Sequence, residues 1–205
     1  MQMIERVVEA VTADPSRLRP LFDGPPAPMP AAEIAKLDVP PSVRRWLAFD
    51  GRFPGVEPMT LIAYVQSIEI RGYEGTDLDE PDEDDASWND IFSDTSLRSL
   101  ARFDRVFPLP SPNADVGLHH VLVASEPDAE GEWPVFYYAD LARDVPEYGL
   151  WYPGFDVYLA HLTGVIELDF AQGISSLGDH PEHAARMAHH ARHCFGGKRS
   201  GSLFG

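Results

Sequence analysis

The chain reads as an α+β domain: a mostly antiparallel sheet of about four to six strands with helices packed against one side of it. Three observations carry that expectation. Leu118-His119-His120-Val121-Leu122-Val123-Ala124 and Trp133-Pro134-Val135-Phe136-Tyr137-Tyr138 are short runs rich in β-branched and aromatic residues. The acidic stretch 126–132, containing Gly131, separates them as a hairpin connection does. After the Pro153-Gly154 break, Phe155, Tyr158, Leu159, Leu162, Ile166 and Phe170 recur at three- and four-residue steps, which places them on one helical face. Asp156, Thr163 and Glu167 are expected on the opposite face.

The remaining elements follow in chain order. Ile4, Val7, Val8 and Val11 form the apolar stripe of a first helix, closed by Asp14-Pro15 because proline disfavours helical geometry in the residue before it. Residues 20–30 are too proline-rich for regular structure. A short helix over 31–37 precedes a second over 41–49, with Pro41 in the first turn, Gly51 after the end, and Val43, Trp46 and Leu47 facing the core. Residues 61–70 match neither period cleanly, but their β-branched content leans toward strand. Residues 101–109 and 148–152 are further strands. A last helix opens at Asp179-His180-Pro181-Glu182, where an Asp cap with Glu three residues later satisfies two free N–H groups. Its docking stripe is Ala184, Met187, Ala188, Ala191 and Phe195, and Gly196-Gly197 ends it. At 205 residues the expectation is one domain over 1–195, carrying an acidic insert at 72–97 and followed by a flexible tail over 196–205.

Three segments resemble a known family when taken together in order and spacing. They are Val39-Pro40-Pro41-Ser42-Val43-Arg44-Arg45-Trp46-Leu47-Ala48-Phe49-Asp50-Gly51, Gly131-Glu132-Trp133-Pro134-Val135 and Phe155-Asp156-Val157-Tyr158-Leu159. They look like the "LP, helix, apolar, acidic-Gly" segment, the "G-x-x-P-V" strand entry and the "F-x-x-Y-L" helix start of the SMI1/KNR4 family, also called the SUKH superfamily. The resemblance spans roughly residues 38–168. It implies an α+β fold and a non-catalytic binding role, since bacterial members neutralise toxin effectors, often nucleases, of polymorphic toxin systems. Fungal relatives regulate cell-wall synthesis and signalling, so a regulatory or scaffold protein is the alternative it leaves. The insert and the His-rich segment after Gly178 match no family pattern.

Composition narrows the classes. A hydrophobic content of 44% and an aromatic content of 11% suit a folded globular protein, and no run approaches the roughly 18–20 apolar residues of a membrane span. Met1-Gln2-Met3-Ile4-Glu5-Arg6 leads into a charged amphipathic pattern rather than a signal peptide, and the lone Cys194 excludes an intramolecular disulfide. A cytoplasmic location is expected. The net charge of −17 opposes nucleic-acid phosphates and anionic membranes and favours a basic protein partner, which the family resemblance implies is a toxin nuclease domain.

The chemistry-bearing candidates follow. Residues 74–94 hold ten acidic side chains and no basic one, so self-repulsion keeps the segment solvated. A solubilising loop is one reading; the other is a docking surface of Asp79, Glu80, Asp82, Glu83, Asp84 and Asp85 with Trp88 as aromatic anchor. The run lacks the glycine and terminal glutamate of an EF-hand. His189 with His193, and His190 with Cys194, share helical faces at a spacing that can offer two ligands to zinc, with His119 and His120 or His180 and His183 as further donors. No HExxH or paired CxxC completes that set, so no metal or other cofactor is expected. A metal-dependent hydrolase built on these histidines is the third reading. There is no G-x-S-x-G elbow, and Gly196-Gly197-Lys198-Arg199-Ser200 lacks the leading glycine of a phosphate loop.

Overall fold

The computed structural model describes residues 2–19, 22, 24–52, 57–64, 67, 102–111, 118–139, 147–168, 177, 180–198 and 200–202. Helix α1 (Met3–Ala13) buries Ile4, Val7, Val8 and Val11, the stripe its periodicity specifies. It ends before Asp14, whose Oδ1 accepts from the Ser16 N–H at 3.1 Å and opens a 3-10 turn, Pro15–Leu18. Helices α2 (Ala31–Ile34) and α3 (Pro41–Leu47) follow, with Val43, Trp46 and Leu47 buried. Gly51 is sterically required where the chain leaves α3, since a Cβ there would lie 2.9 Å from Met29 Cβ.

The sheet contains β1 (Val106–Leu109), β2 (Leu118–Val123), β3 (Val135–Ala139), β4 (Glu147–Tyr152) and β5 (Ser200–Ser202), in that spatial order and antiparallel throughout. The expected α+β architecture is present. The segment expected to be a C-terminal tail thus contributes the edge strand β5, which pairs with β4 from Glu147 to Gly149. Residues 61–64, read from the sequence as leaning toward strand, form a helical turn instead. The Thr60 hydroxyl accepts from the Ala63 N–H at 3.0 Å and starts that turn, a side-chain cap that outweighs weak β preference.

Helices α4 (Phe155–Leu162) and α5 (Pro181–Phe195) complete the fold. They correct the expectation that helices lie on one side of the sheet. Val121 pairs with Phe136 and His120 with Tyr137, so neighbouring residues of β2 and β3 point to opposite faces. On one face Phe195 of α5 packs on Phe136 and Tyr148, at ring-centroid distances of 5.0 and 5.8 Å. On the other, Tyr158 of α4 packs on His120 and Tyr152 at 5.8 and 5.5 Å. A bulge where β4 opposes Val135 and Phe136 leaves Trp151 as the extra residue. Both Trp151 and Tyr152 then reach His120, at 5.8 and 6.0 Å, which regular alternation forbids. Helix α1 packs against α4 and α3, extending the core away from the sheet.

Two helix details also differ from the periodicity. α4 stops at Leu162 rather than running on to Phe170, because the Thr163 hydroxyl donates back to Leu159 O at 2.7 Å and Gly164 takes a left-handed φ of 64°. At the start of α5 the cap residue is His180, with no side-chain hydrogen bond to the free N–H groups, while Asp179 lies outside the described residues. The C-terminal stop at Gly196-Gly197 is as expected: Gly196 is left-handed, and the Gly197 N–H donates to Ala191 O at 2.9 Å.

Phe136 is fully buried between Phe103 and Phe195. Replacing it with alanine is expected to cost about 3–5 kcal/mol in urea unfolding. A loss below about 1 kcal/mol would show that the end of α5 is not seated on the sheet.

Candidate functional site

The turn between β2 and β3 is organised by one side chain. Asp128 Oδ1 accepts from the backbone N–H groups of Glu130 and Glu132, at 2.9 and 3.0 Å, and Gly131 supplies a φ of 81°. That leaves Asp128 Oδ2 facing α5, where the Arg186 Nε donates to it at 2.5 Å. The Arg186 guanidinium then forks onto Asp156 at the start of α4, with Nη1 and Nη2 each 3.0 Å from a carboxylate oxygen. Its Nη2 also donates to Pro153 O at 3.4 Å, and Glu130 Oε2 lies 3.4 Å from Nη1. Asp128, Asp156 and Arg186 are all buried, so two carboxylates share one guanidinium in the interior.

A third acid stands beside them. Glu132, only 4% exposed, accepts from the Ser42 N–H at 2.9 Å and from the Ser42 hydroxyl at 2.5 Å, which caps α3 in place of a residue on α3 itself. Burial, and then the Asp156 charge, push the Glu132 carboxyl up to about 7 against the pull of those hydrogen bonds. Burial also opposes ionisation of Asp128, but the adjacent His190 and the Arg186 charge hold its carboxyl well below the usual carboxylate range. Arg186 is held in its charged form by Asp156 and Asp128 despite its burial. Gly154 is fixed by the same network: its backbone is extended, but a Cβ would collide with Arg186 Nη2 and Asp156 Oδ1.

These groups form the floor of a cleft of about 740 Å³. Gln2 and Met3 of α1, Ser42 of α3, Asp156 of α4 and Glu182 of α5 all line it, so four helix N-termini open onto one space. Their partial positive charge favours anions. The protein supplies those anions itself, through Glu5, Glu132, Asp156 and Glu182 in or against the first turns. With Arg186 committed to its carboxylates, the exposed charged groups of the cleft are Glu130, Glu182 and Arg6.

Of the sequence-derived candidates, Asp79, Glu80, Asp82, Glu83, Asp84, Asp85 and Trp88 lie outside the described residues. The histidine pairs of α5 separate. His189 and His193 share an outer face with ring centroids 4.4 Å apart, and His189 Nε2 lies 3.3 Å from Glu126 O. His190 is fully buried with its Nε2 3.5 Å from Asp128 Oδ2 and its Nδ1 without a hydrogen-bond partner. Burial holds it in the neutral form. Cys194 is buried as well, which pushes its thiol up. His120 belongs to the aromatic cluster of the sheet, its backbone N–H donating to the Ser111 hydroxyl at 2.8 Å, and burial lowers it to about 4. His119 makes ring contacts with Tyr64 and Tyr138. His180 and His183 stack at 5.1 Å on the rim of the cleft.

The docking face of α5 is a correction. His183, Arg186, Met187, His190, Ala191 and Cys194 are buried, whereas Ala188 is exposed and Ala184 only half-buried. Asp156, expected on the polar face of α4, is buried as the anchor of Arg186. Sequence reasoning missed Asp128, Glu132, Asp156 and Arg186 as a unit. The one available signal was that 183, 186, 187, 190 and 194 also keep helical spacing, a stripe passed over because it contains charge.

Truncating Arg186 to alanine would strand Asp128 and Asp156 as buried, unpaired charges. The expected loss is about 3–5 kcal/mol of folding stability at neutral pH, measured by denaturant unfolding. A loss under about 1 kcal/mol would mean that the pairing is not maintained in solution.

For Glu132 the folded group titrates near 7 and the unfolded one near 4.5. The folded state therefore holds the extra proton between those values, and the stability this confers is full below about 4.5 and lost as pH rises through about 7. Glu132→Gln should abolish that dependence, whose slope in the wild type is at most about 1.4 kcal/mol per pH unit. Parallel stability profiles for the two proteins between those pH values would refute it.

No protein-family model matches this chain, and neither does any curated protein or solved structure.

Proposed function

We propose that the protein is a non-catalytic binding module of the SMI1/KNR4 type, a bacterial cytoplasmic immunity protein that sequesters a basic, nuclease-like toxin domain. The observation that carries the reading is the concentration of negative charge. The chain has a net charge of −17, and residues 74–94 hold ten acids without a single base. In the described part, Arg186 at the cleft is paired with the buried Asp128 and Asp156 and lies 3.4 Å from Glu130, so little of its charge is left to face a ligand. A protein that grips phosphate carries a basic groove, and an acidic surface accelerates encounter with it and covers it.

The α+β fold with an antiparallel sheet agrees with what the family resemblance implies. Among the described residues no helix is long and apolar enough to cross a membrane. Docking is assigned to Asp79, Glu80, Asp82, Glu83, Asp84 and Asp85, with Trp88 as the apolar anchor beside them.

The test is a pull-down from the native host, comparing the wild type with a variant in which Asp82, Glu83, Asp84 and Asp85 are changed to lysine. Circular dichroism is expected to show both folded, because a run of four consecutive acids is not core-forming sequence. The wild type alone should recover a basic effector domain, with association that slows as salt is raised. Recovery of the same proteins by both would remove the docking surface. Recovery of regulatory proteins with no toxin domain among them would replace immunity by a scaffold role.

A further inference from the structure

At the rim of the acidic cleft, we infer that His180, Glu182 and His183 form a binding site for a single zinc-class divalent ion. Their ligating atoms all lie within 4.8 Å of one another, the only such group of three His, Cys, Asp or Glu side chains among the described residues. Two imidazoles and a carboxylate select a borderline transition ion over magnesium or calcium, which take oxygen donors. The same donor set, with a fourth position left to solvent, is a familiar arrangement for zinc.

His183 supplies an independent observation. It is 5% exposed, yet its Nδ1 is buried without a hydrogen-bond partner, a state that normally needs an explanation. His180 stacks on it at 5.1 Å and, like Glu182, is exposed. Tetrahedral zinc places its donor atoms about 3.3–3.5 Å apart. Drawing the three together therefore needs only side-chain rotation at the two exposed positions, while buried His183 serves as the fixed ligand.

The local field permits a cation. The first turn of α5 opposes one through its partial positive charge. Against it stand Glu182 itself and the nearby Asp156, while Arg186 is balanced by Asp128 and Asp156. This set differs from the His190 and Cys194 pairing that helical spacing suggests, which lies inside the protein, and from the His189 and His193 pair on the outer face.

The experiment is calorimetric titration of zinc chloride into the full chain, previously stripped with chelator. Wild type should bind one equivalent. His180→Ala and Glu182→Gln, both at exposed positions and so expected to fold normally, should each weaken binding roughly tenfold or more. A His189→Ala/His193→Ala double variant should bind as the wild type does, and cobalt in place of zinc should give the visible absorption of a tetrahedral site. The inference is overturned if the wild type binds no zinc, if His180→Ala and Glu182→Gln leave affinity unchanged, or if removing His189 and His193 abolishes binding.

Discussion

The buried fork of Arg186 between Asp128 and Asp156 is the constraint around which the rest is arranged. It joins three pieces of chain that share no backbone hydrogen-bond ladder: the β2 to β3 turn, the start of α4, and α5. A charge taken out of water is tolerated only when it is paired and its hydrogen-bonding capacity is filled. Asp128 fills its remaining capacity by building the turn, and Asp156 sits where α4 opens. Each partner therefore has a second structural task, and the position of α5 follows from satisfying all of them together. Gly154 is small for the same reason, because the guanidinium and a carboxylate occupy the space of its side chain.

Two environments of different character result. Around the sheet, aromatic rings from β2, β3, β4, α4 and α5 pack on both faces, and the bulge at Trp151 turns two successive aromatic residues toward His120. Histidine there is one more ring, neutral and enclosed. Around the cleft, the interior is charged and the acids and Arg186 are held by hydrogen bonds, and Glu132 stands between these regimes as a buried carboxyl close to neutrality. The contrast explains why α5 can be amphipathic in an unusual sense: its buried face is polar at His183, Arg186 and His190 and apolar at Met187, Ala191 and Cys194.

The proposed docking and the proposed metal site would draw on different properties of the chain, its net charge and a local donor set. Net charge acts at long range, and −17 favours the approach of basic partners. The rim histidines act only at bonding distance. A cleft onto which four helix N-termini open would ordinarily attract anions, and the protein's own carboxylates in or against those first turns offset that preference.

Several elements were legible from the sequence alone. The stripe of α1, the strands around Val121, Phe136 and Leu150, the glycine stop after α5 and the strongly acidic character are local or compositional properties, so periodicity, propensity and charge counting reach them. The helical turn at 61–64, the early end of α4 and the edge strand at Ser200–Ser202 were not, because each depends on one hydrogen-bonding partner that overrides a weak local preference. The site was the least legible part. Arg186 meets Asp128 across 58 residues and Asp156 across 30, and Glu132 meets Ser42 across 90. Taken singly, each of these residues reads as an exposed charge on a solvated face. Only the tertiary structure turns them inward, since a charge is buried when distant segments deliver its counter-charge and hydrogen bonds, and that meeting leaves no trace in local sequence.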